Sequence, residues 1–413
     1  MNGKIKERIK YWAQILLVPV YGLSFLMPRN RKLWLFGSTF GRRYAENPRY
    51  LFLYVSQHSE ELNGVRPVWI SHNREIVRFL TDNGYEAYYY HSFKGIWLAL
   101  RAGAYIYDNY SKDINFWQSG GAFKFNLWHG TGNKKINHDN IHDAVRHPRN
   151  AWEKWKTWLR RLSDEKPTDY ILTTSDAMRP HFASAFKVDE SHVVVDGYPR
   201  NDILFPNDEC RINNLMTDVE SALCEKIDSF KREGYRIITY MPTFRESEKK
   251  FFDIMNLQAF NDFLRENHTI LINKVHIKSK LRAEFAKQQY SNIVNADADV
   301  DVYTFLNKTD LLITDYSSVY TDYMLLDRPV IAFTYDWEDY SKDSRDCTIN
   351  QDDYMPELKA ISMEELMQMI SFTSTEDPKK EARAASRARM FNYPDGKSSD
   401  RLAKWLLKQL NVG

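Results

Sequence analysis

Cysteine and glycine are scarce in this chain, and their scarcity excludes several classes of protein. The three cysteines among 413 residues, Cys210, Cys224 and Cys347, are far apart. They therefore provide neither a disulfide framework nor a spaced set of zinc ligands, which fits a reduced protein without a structural metal. The 16 glycines form no G-x-G-x-x-G and no Walker motif, so neither a dinucleotide dehydrogenase nor a P-loop NTPase is supported.

Long hydrophobic runs are also missing, although the N-terminus combines positive charge with apolar residues. Residues 1–50 hold ten Lys/Arg and two Glu, a balance of +8, which leaves −6 for the remainder of a chain with net charge +2. The apolar residues 11–27 are fewer than the ~20 that a membrane-spanning helix needs, and they include Pro19 and Gly22. We expect residues 1–30 to form an amphipathic helix that anchors the protein to an anionic membrane surface. The alternative is a hydrophobic helix packed on the protein's own core.

Short β-rich runs alternate with helical patterns along the rest of the chain. Strands are predicted at residues 32–38, 66–71, 86–91, 104–109, 123–128, 170–175, 192–198, 236–240, 269–275, 292–294, 311–315 and 329–333. Helices are predicted at residues 48–56, 74–83, 93–101, 151–162, 257–267, 281–290, 302–307, 319–326, 363–372, 378–392 and 398–410. This alternation predicts an α/β protein with two doubly wound parallel sheets. The expected division is a first domain over 31–210, a second over 211–395, and a final helix, 396–413, that packs back towards the first.

The predicted helix 151–162 carries an unusual aromatic stripe. Trp152, Trp155 and Trp158 recur at helical spacing between basic residues. This composition is typical of a helix at a membrane interface, but the same stripe also fits a helix that faces the core.

Residues 311–333 predict a strand, a turn, a helix and a second strand. Ser317 and Ser318 then lie at the helix N-terminus, shortly after Asp315 at the end of the strand. Free backbone N–H groups and the helix dipole favour an anion there, which predicts a phosphate site. The alternative is that a serine only caps the helix.

Two preceding strands of this half end in cationic segments. The first ends at the segment with Pro242, Thr243 and Arg245, and the second ends at the segment with Lys274, His276 and Lys278. Since the carboxyl ends of parallel strands share one edge, these cations are expected near Ser317, where they suit a pyrophosphate.

The first half has its own candidate site after the strand 123–128. His129 follows that strand, then Gly130 and Thr131, and the pair Lys134 and Lys135 comes shortly afterwards. Open α/β sheets place ligands at such positions; the alternative is a histidine hydrogen-bonded in a turn.

Six motifs taken together resemble one family, the CDP-glycerol glycerophosphotransferases of teichoic acid and capsule synthesis. They are Trp128-His129-Gly130-Thr131, Gly197-Tyr198-Pro199-Arg200-Asn201-Asp202, Pro242-Thr243-Phe244-Arg245, Lys274-Val275-His276, the run from Thr314 to Pro329, and Asp395-Gly396-Lys397-Ser398-Ser399. Their order covers about residues 30–410. Two departures are Ile277, where the family usually has proline, and the separation of the two lysines from His129 by Gly132 and Asn133.

The resemblance implies a GT-B fold, two Rossmann-like domains that face a crevice, with the acceptor mainly in the domain 31–210 and the CDP-activated polyol in the domain 211–395. It also implies a phosphotransferase that moves glycerol phosphate or ribitol phosphate from CDP-glycerol or CDP-ribitol to a hydroxyl of a lipid-linked saccharide, with release of CMP. Members of the family act at the cytoplasmic face of the bacterial cell membrane, in agreement with the basic apolar N-terminus. No cofactor is required by the sequence, a divalent cation has no support in it, no nucleic acid is expected, and a homo-oligomer is left open.

Roles can be carried over to the matching residues. His129 is expected to be the general base, and His276 is also expected in the catalytic site, on the donor side. Donor ligands are expected among Arg245, Ser317, Ser318, Asp315, Asp322, Pro242 and Thr243, with Asp322 assigned to a ribose hydroxyl and Asp315 either orienting His276 or structural. Acceptor or phosphate contacts are expected from Gly130, Thr131, Lys134, Lys135, Arg200 and Asn201. The rival functions are a GT-B glycosyltransferase that uses a nucleotide-sugar and a non-catalytic membrane scaffold of a polymer-synthesis complex.

Overall fold

A computed structural model describes residues 3–165, 168–206, 212–243, 245, 249–275, 279, 281, 284–285, 288–337 and 346–413. Two parallel sheets organise this part of the chain, as the alternation of patterns predicts.

The first sheet has seven strands in the order β3-β2-β1-β4-β5-β6-β7. The strands are Asn30–Phe36 (β1), Arg66–Ser71 (β2), Ala87–Tyr89 (β3), Ala102–Tyr107 (β4), Phe123–Asn126 (β5), Tyr170–Thr173 (β6) and Val193–Val195 (β7). The chain leaves β1 in one direction and returns to pair β4 on its other side, so the order reverses between β1 and β4. Ligand crevices of open α/β sheets lie at such a reversal, outside the carboxyl ends of the strands.

The second sheet repeats this plan with six strands in the order β10-β9-β8-β11-β12-β13. The strands are Arg236–Met241 (β8), Thr269–Asn273 (β9), Ile293–Asn295 (β10), Leu311–Thr314 (β11), Val330–Phe333 (β12) and Leu358–Ala360 (β13). Its reversal lies between β8 and β11, whose residues pair in parallel register from Leu311 and Ile238 to Thr314 and Met241.

Helices cover the faces of both sheets. In the described residues the α-helices are Gly3–Ala13, Val18–Ser24, Glu46–Gln57, Arg74–Asp82, Phe93–Arg101, Ala151–Lys156, Trp158–Asp164, Arg179–Phe186, Asp218–Arg232, Lys249–Ile254, Leu257–Glu266, Tyr303–Leu306, Val319–Tyr323, Gln351–Tyr354, Met363–Phe372, Lys380–Met390 and Ser398–Gln409. A short 3-10 helix, Pro199–Leu204, follows β7. In the last helix Trp405 packs its ring 5.0 Å from both Phe125 and Tyr170 of the first sheet.

Several sequence predictions differ from the structure. The helix expected at 151–162 is interrupted at Thr157, whose hydroxyl donates to the carbonyl of Glu153 at 2.8 Å. Such bonding of a threonine to the preceding turn competes with regular helix geometry. Strand β13 and the helices Arg179–Phe186 and Asp218–Arg232 were not predicted, and residues 282–283 and 286–287 of the helix expected at 281–290 lie outside the described residues.

The two halves share a buried ionic contact as well as a hydrophobic core. Arg49, in the helix Glu46–Gln57, donates to both carboxylate oxygens of Glu220 at 2.7 and 3.0 Å, and both side chains are almost completely buried. Glu220 lies in the first turn of the helix Asp218–Arg232, where it also closes a capping box with Thr217. One continuous core cluster joins side chains of both sheets, such as Trp34 and Leu312.

The N-terminal segment has one packed face and one exposed face. Tyr21 is buried and stacks on Phe116 at 4.5 Å between ring centroids. Leu16, Leu23 and Leu26, by contrast, are 62–79% exposed. Among the described helices none is both long enough and apolar enough to cross a bilayer.

The tryptophan stripe is not part of the core. Trp152 and Trp155 are more than half exposed, and Trp158 is 39% exposed. Trp155 packs on Trp12 of the N-terminal helix at 4.5 Å, and the backbone N–H of Arg160 donates to the Tyr11 hydroxyl at 3.3 Å. The two segments suggested separately by the sequence therefore lie side by side on one surface.

We predict that Glu220→Ala lowers the free energy of unfolding by about 3–5 kcal/mol, because it removes the carboxylate that pairs most closely with the buried charge of Arg49 and leaves only the more distant Asp301 at 3.6 Å. Burial alone would raise the pKa of Glu220, but the charge and hydrogen bonds of Arg49 outweigh burial and lower that pKa. The stabilisation is therefore present at neutral pH and lost as the pH falls through the folded-state pKa. Chemical denaturation measures the change.

The matched control is Asp228→Ala on the same helix, where the pair with Lys308 is partly exposed. Its loss should cost less than about 1 kcal/mol. Equal effects of the two substitutions would contradict a special role for the Arg49–Glu220 pair.

Candidate active site between the two sheets

A cavity of about 370 Å³ lies where the carboxyl ends of the two sheets meet. The first half contributes four polar side chains to its lining, and the second half contributes residues at the end of β8 and after β9, β10 and β11. The lining residues are Arg43, Glu46, His129, Arg200, Met241, Pro242, Lys274, Val275, Ala298, Asp299, Val302, Tyr303, Ser317, Ser318 and Val319. His129 and the two serines, predicted from separate halves of the sequence, thus line one cavity.

His129 is held by the ends of two strands. Its Nδ1 lies 3.1 Å from the carbonyl oxygen of Asp108, which follows β4. A carbonyl can only accept, so Nδ1 carries the proton and the basic lone pair of the neutral imidazole is on Nε2. Asp108 is itself fixed, because its carboxylate accepts from the Ser38 hydroxyl and from the Thr39 N–H, both at 2.9 Å.

The loop around His129 has an irregular backbone that only a narrow choice of residues allows. Trp128 has φ +52° and Gly130 has φ +139°. A Cβ at Gly130 would lie 3.0 Å from the guanidinium of Arg200 and 3.4 Å from the Ser318 hydroxyl, and a Cβ at Gly132 would lie 3.2 Å from Ser318. The two glycines therefore let the loop of the first half approach the serine turn of the second.

Arg200 connects the two halves beneath this loop. It is 2% exposed, and its Nη2 donates to Asp322 at 2.6 Å while its Nη1 donates to the carbonyl of His129 at 2.9 Å and to the carboxylate of Glu46. Its guanidinium also lies 4.6 Å from the centre of the Tyr303 ring. Burial would lower the pKa of Arg200, but the negative charge of Asp322 and neighbouring groups raises it, so the side chain stays cationic.

Ser317 and Ser318 precede the helix Val319–Tyr323, as predicted. The Ser318 side chain makes no capping hydrogen bond, and the Val319 N–H reaches the Ser317 hydroxyl only at 3.5 Å, the outer limit of a hydrogen bond. The geometry therefore gives little support to the interpretation that the serines only cap the helix. Both serines border the cavity.

A model of the family described as CDP-glycerol:poly(glycerophosphate) glycerophosphotransferase matches residues 20–408. The chain belongs to this family. The teichoic acid glycerol-phosphate transferase of Staphylococcus aureus (strain NCTC 8325 / PS 47) is 26% identical over an alignment of 424 positions, which covers 98% of this chain and 100% of that protein. The teichoic acid poly(glycerol phosphate) polymerase of Bacillus spizizenii is 28% identical over 353 aligned residues, 83% of this chain and 84% of that protein.

The fold agrees with that of a solved relative. The structure of the wall teichoic acid polymerase TagF superimposes with a TM-score of 0.71 at 20% identity, covering 100% of this chain and 98% of that one. At this identity the likeness concerns the fold, which is GT-B-like. The resemblance deduced from the six motifs is confirmed, and the protein is a member of a phosphotransferase family of teichoic acid synthesis.

Arg245 and Asp315, expected as donor ligands, are not among the residues that line the cavity. Asp315 is buried and accepts from the N–H and hydroxyl of Thr243 at 2.7–3.0 Å and from Arg245 at 2.6 Å. Arg245 also pairs with Asp336. In this structure these residues tie the loop after β8 to the loop after β11, and of the motif Pro242-Thr243-Phe244-Arg245 only Pro242 borders the cavity among the residues that are described.

Asp322 likewise faces a protein partner rather than the cavity. It is 1% exposed, and its carboxylate accepts from Arg200, from the Asn201 amide at 2.9 Å and from the Tyr303 hydroxyl at 2.5 Å. The carboxylate is thus buried among its protein partners in this arrangement, and the assignment to a ribose hydroxyl stays a prediction. Asn201 shares this interdomain role.

The remaining predicted residues lie away from the cavity or outside the described part of the chain. Thr131 is buried and bonds the Tyr198 hydroxyl at 2.8 Å. Lys134 and Lys135 pair with the segment 346–347, where the Lys135 N–H donates to the Asp346 carbonyl at 2.8 Å, and neither lysine borders the cavity. His276 lies outside the described residues, so its role stays a prediction.

Glu46, Arg43 and Asp108 were missed by sequence reasoning. Glu46 begins a helix with φ +63°, in a left-handed conformation that costs a non-glycine residue roughly 1–2 kcal/mol, and no sequence pattern marks it. Lys274 was expected and borders the cavity; burial, followed by the nearby charge of Arg43, lowers its pKa to about 8. An ammonium with such a pKa gains its full charge when an anion binds beside it.

We predict that Gly130→Ala lowers turnover at least tenfold, because the new methyl group would press on the guanidinium that holds the His129 loop. The control is Gly84→Ala, which also has a positive φ, +81°, but nothing within 4 Å of its added Cβ. Steady-state kinetics and thermal unfolding of both variants make the comparison. Equal loss of stability with unchanged turnover in both would mean that only backbone strain matters at Gly130.

Proposed function

We propose that the protein transfers glycerol phosphate from CDP-glycerol to a hydroxyl of a lipid-linked saccharide at the cytoplasmic face of the bacterial membrane, with release of CMP. The observation that carries this proposal is the shared cavity, in which a histidine of one sheet faces a serine turn and a half-buried lysine of the other. The choice of glycerol phosphate is supported by the relative that aligns end to end, a glycerol-phosphate transferase.

The chemistry follows from the positions of these groups. The acceptor hydroxyl loses its proton to Nε2 of His129, and its oxygen forms a bond to the β-phosphorus. The bond from that phosphorus to the bridging oxygen breaks, and the electron pair leaves with CMP. Transfer of this kind depends mainly on positioning and on neutralisation of phosphate charge; Lys274, Ser317 and Ser318 are suited to the second task.

Attachment to the membrane is the second part of the proposal. The exposed leucines of the N-terminal segment and the exposed tryptophans packed beside that segment form a surface, which we call the N-terminal apolar surface: Leu16, Leu23, Phe25, Leu26, Trp152 and Trp155. Basic residues of the N-terminal helix, such as Arg8 and Lys10, are exposed close to it in sequence. Apolar side chains beside cations are the combination that binds anionic bilayers.

A donor panel tests the reaction. The protein is incubated with a lipid-linked saccharide and, in turn, CDP-glycerol, CDP-ribitol and a nucleotide-sugar, and the products are weighed by mass spectrometry. Addition of one glycerol phosphate or more with CDP-glycerol supports the proposal. Addition only with CDP-ribitol would mean that ribitol phosphate, not glycerol phosphate, is the group transferred. Transfer of a sugar would favour a glycosyltransferase. No release of CMP from any donor would favour a non-catalytic scaffold.

We predict that His129→Ala lowers turnover by roughly 10²–10⁴-fold while the affinity for CDP-glycerol stays nearly unchanged, because the base acts on the acceptor proton. Turnover at saturating substrates and calorimetric titration with CDP-glycerol measure the two quantities. His58→Ala, a histidine outside the cavity, is the control. Near-normal turnover of His129→Ala would rule out His129 as the general base.

We predict that replacing Leu16, Leu23 and Leu26 together by Gln weakens binding to anionic vesicles at least tenfold, because exposed leucines lose their apolar contact with lipid while the packed face around Tyr21 is kept. Flotation with vesicles of anionic and zwitterionic lipid gives the affinities. High salt should weaken binding of the unaltered protein, because it screens the basic residues.

The control for this experiment is Trp97→Gln, an exposed aromatic residue on the helix Phe93–Arg101, which is not part of the N-terminal apolar surface. Equal vesicle binding by the triple variant, the control and the unaltered protein would contradict membrane attachment through this surface.

A further inference from the structure

The cavity contains a carboxylate, that of Glu46, to which the proposed transfer reaction assigns no task. Glu46 lies beside the His129 loop, because Nη1 of Arg200 donates both to its carboxylate and to the carbonyl of His129. It is therefore linked through a single guanidinium nitrogen to the residue that takes the acceptor proton in the proposed reaction.

The position of this carboxylate is fixed from both ends. The backbone of Glu46 has φ +63°, and its N–H donates to Asp301 of the other half at 3.3 Å. The side chain is held by Arg200, which is buried. Residues kept in such uncommon backbone conformations concentrate at functional sites.

One oxygen of the carboxylate has no hydrogen-bond donor among the described residues. Oε2 is occupied by Arg200, whereas no described residue donates a hydrogen bond to Oε1. The side chain is 26% exposed and borders the cavity. The site therefore offers a preorganised hydrogen-bond acceptor next to His129.

The Glu46 carboxylate can bind only a part of the substrate that donates a hydrogen bond. An ionised carboxylate accepts hydrogen bonds and donates none, and phosphate oxygens are also negatively charged acceptors. A hydroxyl group is the complementary partner. In the proposed donor, the polyol is attached to the phosphorus that is attacked from the His129 side, so we expect its hydroxyls at the wall of the cavity that holds His129 and Glu46.

We propose that Glu46 binds a hydroxyl group of the polyol carried by the CDP-activated donor. This inference rests on the proposed function, and it assigns recognition of the polyol to the first half of the chain, while the phosphates contact the second. Arg200 holds the carboxylate in place and offsets its charge, which would otherwise repel the diphosphate.

The charged groups around Glu46 set the pH at which it acts. Burial raises the pKa of Glu46 to about 7; the positive charge of Arg200 opposes this shift, and Asp301 and Asp108 add to it, with a smaller opposing effect from Arg43. Lys274 and His129 border the same cavity. The raised pKa keeps the carboxyl partly protonated near neutrality. Its capacity to accept a hydrogen bond from a hydroxyl group therefore increases as the pH rises through 7 and the carboxyl ionises.

The test compares two ligands that differ by the polyol. CDP-glycerol and CDP are titrated calorimetrically into the unaltered protein and into Glu46→Gln at pH 7.5. We expect Glu46→Gln to bind CDP-glycerol roughly ten- to a hundredfold more weakly, since a hydrogen bond to a charged group is lost, and to bind CDP with unchanged affinity. Glu60→Gln, which removes the same charge from an exposed position, should change neither affinity.

A pH comparison gives a second readout. Between pH 6 and 8 the affinity of the unaltered protein for CDP-glycerol should rise more steeply than that of Glu46→Gln. The other titratable groups of the cavity are the same in both proteins, so the difference between them isolates Glu46. If Glu46→Gln does not fold, Glu46→Asp is the alternative variant. It keeps the charge, but its side chain is one methylene shorter, so the carboxylate no longer reaches the polyol and the same selective loss of CDP-glycerol binding is expected.

Two results would overturn the proposal. Equal weakening of CDP and CDP-glycerol would mean that Glu46 acts through Arg200 on the whole interface, and unchanged binding of both would mean that it does not contact the polyol. A protein that binds CDP-glycerol through Glu46 but transfers nothing would instead overturn the proposed function, so the two failures are distinguishable.

Discussion

The buried guanidinium of Arg200 is the interaction on which the arrangement of the site depends. It reaches Asp322 in the second half, Glu46 in the first, and the carbonyl of His129 in the loop between them. A buried cation is costly unless it is fully paired, so these partners are needed together. The same contact that satisfies the charge therefore sets the distance between His129 and the serine turn.

The pattern of strands and helices was predictable because it depends on local properties. Alternating apolar runs identified strands such as Arg66–Ser71, and helical spacing identified Phe93–Arg101 and Met363–Phe372 to the residue. The helix Asp218–Arg232 could have been found from its capping box, Thr217 and Glu220. The short strand β13 could not, since three residues that complete the edge of a sheet depend on their neighbours for pairing.

The site was predictable in its motifs but not in its contacts. Sequence order placed His129, Ser317 and Ser318 at strand ends, and parallel sheets bring such ends together. The roles of Arg245 and Asp322 depend on which partner each side chain meets across the interface, which spacing along the chain does not contain. Glu46 could not be identified from the sequence for the same reason. Its place in the site depends on a backbone conformation and on a hydrogen bond from Arg200, 154 residues later in the chain.

The exposure of the tryptophans has a spectroscopic consequence. Trp152 and Trp155 stack on each other at 5.0 Å between ring centroids and are open to solvent, whereas Trp34 and Trp69 are completely buried. A water-soluble quencher therefore reaches the first pair and not the second. Trp97 is exposed too, but outside this surface, so lipid should shield only the part of the accessible fluorescence that comes from the pair. That part would report how deeply the surface enters a bilayer without any chemical modification.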